Sequence, residues 1–159
     1  MPKHHHYRVV TTWTGNLGPG TRDYRAYTRD HTLTVPGKTP PLAGSADPAF
    51  RGDPARYNPE ELFLASLSAC HMLWYLHLAS VNGITVVAYE DGARGTMVEG
   101  ADGAGRFASV TLAPRVTIAE AARTEDARDL HHEAGRMCFI ANSVSVPITY
   151  EGEILLAKA

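Results

Sequence analysis

The stretch NPEELFLASLSACHMLWYLHLASVNG, residues 58–83, decides the fold class of this chain. Asn58 is a natural N-cap, Pro59 stands at the first helical position, and Glu60 and Glu61 face the positive end of the helix dipole. Asn82-Gly83 supplies the stop. The roughly twenty residues between span on the order of 30 Å as a helix. Ser66, Ser68, His71, Tyr75, His77 and Ser80 interrupt the apolar run, and Glu60 and Glu61 rather than a basic cluster cap its start, which argues against a membrane span. A helix apolar nearly all round reads as the central helix of a core. One small domain has trouble covering such a helix on every side, so a second copy of the chain is expected against it, as a homodimer.

Outward from this helix, residues 7–14, 24–28 and 31–35 read as strands, with a Gly/Pro-rich turn at 15–20. Residues 36–56 read as a loop of about twenty residues, a length more often functional than idle. On the other side, residues 84–90, 94–99 and 107–117 read as strands. Thr124 is placed to cap a second helix, with Ala127, Leu130, Ala134, Met137 and Ala141 at helical spacing and Cys138 on the same stripe. Val144, Val146, Ile148 and Tyr150 alternate as a final strand, with Pro147 marking an edge or a bulge. Strands and helices are grouped rather than alternating as βαβ, so the class is α+β, in one domain over 1–159.

The 159 residues carry 15 Lys+Arg against 17 Asp+Glu, and the net charge of -2 gives no electrostatic reason to expect nucleic acid or an anionic membrane as partner. Two cysteines are too few for a secreted disulfide scaffold, and MPKHHHYRVV lacks an apolar export segment, so a cytoplasmic protein is expected. No glycine-rich phosphate loop precedes a helix. The histidines show no metal-ligand spacing, so no metal is expected; His71 and His77 read as core-edge residues, and His131-His132 as a solvated helix end. Cys70 and Cys138 read either as small core hydrophobes or as a redox pair. The second reading requires the fold to bring the sulfurs together beside a cation, for which Arg22, Arg25, Arg51 and Arg56 are candidates.

The segment from Asn58-Pro59-Glu60-Glu61-Leu62 through Ser68-Ala69-Cys70 resembles the helix of the OsmC/Ohr family of organic hydroperoxide reductases. The family pairs an asparagine-proline-glutamate start with a serine-alanine-cysteine whose cysteine lies ten residues after the glutamate, the spacing of Glu60 and Cys70 here. A second cysteine within HHEAGRMCFIANSV, and the order of strands and helices, are also similar; Phe139 stands where family members commonly place proline. The resemblance implies an OsmC-like fold of antiparallel sheets around a long central helix, in an intertwined homodimer. It also implies a thiol peroxidase without cofactor: Cys70 peroxidatic, Cys138 resolving, and an external dithiol as reductant, dihydrolipoyl groups being associated with the Ohr branch. Glu60 would fix an arginine that lowers the Cys70 pKa. That arginine is Arg22 by likeness to Ohr members or Arg51 by likeness to OsmC members. Leu67, Trp74, Phe139 and Ile140 are the expected walls of an apolar peroxide pocket. The competing expectation is a non-catalytic dimeric protein that keeps the fold and binds a small ligand.

Overall fold

A computed structural model describes residues 1–158. The chain divides into two compact units, Met1–Leu62 and the residues from Phe63 on.

The first unit is built on a three-stranded antiparallel sheet in the order β1 (Val10–Trp13), β2 (His31–Thr34), β3 (Leu42–Gly44). Residues 24–28, expected as a strand, form turns instead. The cause is Arg29, whose guanidinium takes the carbonyls of Tyr27 (2.7 Å) and Tyr24 (2.9 Å) and lies over both rings, at 4.0 and 4.3 Å. Strand pairing would have required those carbonyls to face a neighbouring strand. The expected loop at 36–56 holds β3 and a 3-10 turn at Pro48–Phe50, capped by the Asp47 carboxylate on the Ala49 N–H.

Helix α1 (Pro59–Val81) runs as read from the sequence. Its start is a reciprocal capping box: Glu61 N–H donates to Asn58 Oδ1 (2.9 Å), and Asn58 N–H donates to the Glu61 carboxylate (3.1 Å). Gly83, at φ 68°, takes the left-handed conformation that ends the helix. The 23-residue helix is long and apolar enough to cross a membrane by composition alone. Its buried residues nevertheless fall on one stripe at four-residue spacing, Leu67, His71, Tyr75 and Ala79, while Leu73 and Val81 stay exposed.

The second unit contains two three-stranded sheets. One runs β4 (Val86–Asp91), β7 (Pro114–Ile118), β9 (Glu153–Leu156); the other runs β5 (Arg94–Glu99), β6 (Gly105–Leu112), β8 (Ile148–Tyr150). The β4/β7 and β5/β6 pairs are antiparallel, as expected, and β6/β8 and β7/β9 are parallel, so both sheets are mixed. The single strand expected at 107–117 is two strands, because Asp91 Oδ1 takes the Ala113 N–H (2.7 Å) out of the ladder and Pro114 opens the next strand. The final strand keeps only its end as β8, at a sheet edge as Pro147 suggested, and β9 was not anticipated.

Helix α2 (Thr124–Met137) is shorter than its apolar periodicity implies. Thr124 is already inside the helix, its hydroxyl donating to the Ala121 carbonyl, and does not cap it. At the other end Asn142 Nδ2 donates to the Arg136 carbonyl (3.0 Å), so Cys138 is the first non-helical residue, in extended conformation. Tyr75, Ala79, Val116, Ile118, Ala127 and Ala134 form one core cluster, and Leu67, Val110 and Leu112 a second.

Candidate active site

Cys70 lies midway along α1 and is half-buried; Cys138, just beyond α2, is 1% exposed. Within the second unit the two lie near each other: both sulfurs are free thiols, close enough for Cys70 to influence the ionisation of Cys138. Burial pushes the Cys138 thiol up to about 11, and its contact with Cys70 adds to the shift; the Ala141 N–H, which points at Cys138 Sγ from 3.4 Å, opposes it. Cys138 is therefore a protonated thiol at neutral pH.

The expected pocket walls are split. Trp74 and Phe139 meet edge to face, with ring centroids 5.5 Å apart and Phe139 largely exposed. Leu67 is buried in the second core cluster, against which Ile140 packs. None of the four lines the cavities of about 980 and 500 Å³.

Between α1 and α2 lies a pair that sequence reasoning missed. His71 Nε2 and His131 Nδ1 share a hydrogen bond of 3.0 Å, and both rings are buried. His131 is thus not at a solvated helix end; α2 turns it onto α1, whereas His132 faces outward. The stack continues with Tyr75 on His131 (4.2 Å between centroids) and Tyr150 on His71 (4.7 Å). Gly135 leaves the space: a Cβ there would stand 2.8 Å from the Tyr150 hydroxyl oxygen. Burial lowers both imidazoles to about 4, and the Asp91 charge opposes this only partly at His71. Asp91 is itself occupied by the Ser68 hydroxyl and the Ala113 N–H. Sixty residues separate the two histidines, so no local pattern announces the pair. No group of three or more metal-ligating side chains occurs among the described residues.

In the first unit, Glu60 lines a cavity of about 500 Å³ with Trp13, Tyr27, Arg29, His31 and Phe50. Its Oε2 is buried without a hydrogen-bond partner. Arg22 and Arg51 do not line this cavity, although their neighbours Thr21 and Phe50 do, and both arginines are exposed. Arg51 ends the 3-10 turn with φ 65°. Arg56 is engaged by Asp30 and Asp53, each at 3.6 Å. Arg29, on none of the expected segments, does line the cavity.

Residues 52–151 match the family described as OsmC-like protein. An OsmC-like protein of unknown function from Vibrio cholerae is 30% identical, with a TM-score of 0.82 over 94% of this chain and 99% of that one. Two organic hydroperoxide resistance proteins share the fold at lower identity. The one from Elizabethkingia anophelis is 16% identical, with a TM-score of 0.70 over 99% of this chain and 100% of its own. OhrB of Bacillus subtilis is 18% identical, with a TM-score of 0.63 over 94% and 98%. A comparison with curated proteins finds no match. The family match spans the capping box, the Cys70 helix and the Cys138 turn together, and on it the chain belongs to the OsmC-like protein family.

Proposed function

We propose that the protein is a thiol-dependent organic hydroperoxide reductase using Cys70 and Cys138. The observation that carries this reading is the nearness of the two free thiols in one unit, one half-buried and the other fully buried. The Cys70 thiolate attacks the terminal peroxide oxygen; the O–O bond breaks, the sulfur becomes sulfenic acid, and the departing alkoxide takes a proton to leave as an alcohol. The Cys138 sulfur then displaces the hydroxyl from Cys70 as water, closing a disulfide. A small dithiol returns both cysteines to thiols and leaves as its own disulfide.

The chain acts as a homodimer on this reading. Helix α1 is unbroken from Pro59 to Val81, so Glu60 and Cys70 lie about 15 Å apart along its axis. A glutamate and a cysteine side chain do not close that distance to share one cation. An antiparallel second copy would set Glu60 of one chain beside Cys70 of the other. Val10, Trp13, Leu73, Val81 and Phe139, all exposed in the single chain, are apolar surface for such a partner to cover.

Thiol titration with mass measurement after one equivalent of cumene hydroperoxide tests the chemistry. Loss of two thiols and formation of one internal disulfide is expected; unreacted thiols would instead mark a non-catalytic binding protein. Mixing Cys70→Ser with Glu60→Ala chains tests the shared site. Recovery of activity from two inactive parents is expected, and no recovery despite verified exchange would place the pair in one chain.

A further inference from the structure

We propose that His71 and His131 are positioning residues for the closing of a Cys70–Cys138 bond: the hydrogen bond between them registers α2 on α1 and so holds Cys138 near Cys70. The use of that bond in peroxide turnover rests on the reductase reading above. All the residues concerned lie in the second unit. His71 directly follows Cys70 on α1, and the 3.0 Å bond joins it to His131 of α2. His131 and Cys138 are seven residues apart, about two helical turns, so the face of α2 that sets His131 against His71 also carries Cys138 towards α1. Ala134, between them on that face, is fully buried. A slide or rotation of α2 on α1 therefore breaks the imidazole bond and displaces Cys138 from Cys70 together.

For stability alone the pair is a poor choice. His71 is 0% and His131 5% exposed, and His71 Nδ1 and His131 Nε2 are buried without a partner. Two leucines would fill the space with no orphaned nitrogen. What the imidazoles add is direction. Apolar contacts between helices tolerate a slide, whereas one hydrogen bond between two buried rings selects a single register. That bond is the only one either ring makes among the described residues. Two phenols hold the pair from either side. Tyr75 stacks on His131 and donates to the Ala127 carbonyl of α2 at 2.8 Å. Tyr150 of β8 stacks on His71, and its hydroxyl uses the space that Gly135 leaves three residues before Cys138.

The experiment uses the full-length protein and two readouts. The first is the equilibrium with glutathione and its disulfide: the two cysteines give up two electrons, their sulfurs join, and two glutathione thiols are released, with no peroxide present. The second follows one equivalent of cumene hydroperoxide and separates two rates, that of sulfenic acid formation, read in a Cys138→Ser background, and that of disulfide closing. His131→Leu should lower the glutathione equilibrium constant and the closing rate by about tenfold, the upper end of what one hydrogen bond contributes, and leave sulfenic acid formation within about threefold. His131→Asn, whose amide can stand where Nδ1 does, should recover most of both losses. Tyr75→Phe removes a different hydrogen bond between the same helices and should leave both quantities within about threefold of wild type. Where His131→Leu does not fold, His71→Leu combined with His131→Leu leaves no orphaned imidazole and should show the same losses. An unchanged equilibrium and closing rate in the folded leucine variant overturns the proposal while the reductase reading stands. So does an absence of recovery in His131→Asn, an equal loss in Tyr75→Phe, or sulfenic acid formation slowed as much as closing. Wild-type thiols that pair in the glutathione buffer but survive the peroxide overturn the reductase reading and leave the positioning to be judged on the first readout. Wild-type thiols that pair in neither overturn both.

Discussion

Acid should loosen this protein through His71 and His131 before it acts through the carboxylates. Two neutral imidazoles carry two N–H protons, and one lies in the 3.0 Å bond between them. The other must sit on His71 Nδ1 or His131 Nε2, both buried without a partner. A third proton adds a charge and a second unsatisfied donor in a space walled by Tyr75 and Tyr150. Asp91 is the one acidic group exerting an attraction on His71, and it already accepts from Ser68 and Ala113. Each imidazole is held near 4 against 6.5 in the unfolded chain. Because the folded pKa lies below the unfolded one, the contribution is complete above about pH 6.5, falls away as the pH drops towards 4, and is flat below that. At about 1.4 kcal/mol per unit, the first proton costs on the order of 3 kcal/mol by pH 4, and roughly 2 kcal/mol of that is gone by pH 5. Above about pH 5 the folded pair takes up neither proton, so the two contributions add; only near pH 4, where the second proton would enter beside the first, do they cease to be independent.

Urea unfolding at fixed protein concentration, in half-unit steps from pH 7.5 to 4.5, measures this directly. Wild type should lose stability between pH 6.5 and 5 with a slope approaching about 2.7 kcal/mol per pH unit, since the unfolded chain takes up two protons there that the folded chain does not, and His131→Gln about half of that. His131→Gln keeps an amide that can hydrogen-bond His71 and removes one titrating ring, so its profile should be lower at pH 7.5 but flatter below 6.5. A wild-type stability unchanged between pH 7 and 5, or an equal slope in His131→Gln, would refute the argument.

Three other outcomes are expected. Cys138, with its thiol near 11, should resolve the Cys70 sulfenic acid at a rate that rises about tenfold per pH unit between 6 and 9, read by stopped-flow fluorescence; Cys138→Ser should instead accumulate a dimedone-reactive sulfenic acid. Asn58→Ala removes one half of the reciprocal cap and should lower stability by about 1 kcal/mol, with Asn58→Ser recovering most of it in the same thermal melts. Cumene hydroperoxide should react at least about tenfold faster than hydrogen peroxide, since each buried methylene contributes roughly 0.8 kcal/mol, and equal rate constants would exclude an apolar peroxide site.

What was legible in the sequence is what short-range chemistry determines. Helix α1 could be read to both ends because its cap, proline, acids and terminal glycine lie within a few residues of the positions they act on. Strand β5 likewise falls where its residues indicate. The misreadings share a cause: a side chain from elsewhere captured a backbone group. Arg29 draws in the carbonyls of Tyr24 and Tyr27 and converts a β-prone run into turns. Asp91, 22 residues from Ala113, cuts one expected strand into two. Asn142 reaches back to Arg136 and ends α2 ahead of Cys138, although the apolar period continues to Ala141. The candidate site divides in the same way. Cys70 and Glu60 belong to a local motif, whereas the His71–His131 bond and Arg29's place at the Glu60 cavity exist only once distant segments are packed.

On the proposed reading, the early end of α2 bears on how two neighbouring thiols can take different parts in one reaction. A cysteine inside a helix moves only with the helix, and Cys70 is held that way at the middle of α1. Cys138 stands one residue past the last helical turn, with φ -66° and ψ 114°. Its sulfur can therefore swing without breaking an i to i−4 hydrogen bond of α2. Its carbonyl is anchored by the Asn142 N–H at 3.0 Å, which confines the swing to a small arc. Burial keeps Cys138 protonated, so on the proposed reading the buried thiol does not compete for peroxide. On the proposed reading, once Cys70 is a sulfenic acid its sulfur is an electrophile close to the Cys138 thiol. The high pKa that made Cys138 a poor first nucleophile then matters less, because its thiolate is intrinsically the more nucleophilic and encounters its target without diffusion. On the proposed reading, the order of the two oxidations follows from which thiol is buried, and the ability to close the bond follows from where α2 stops.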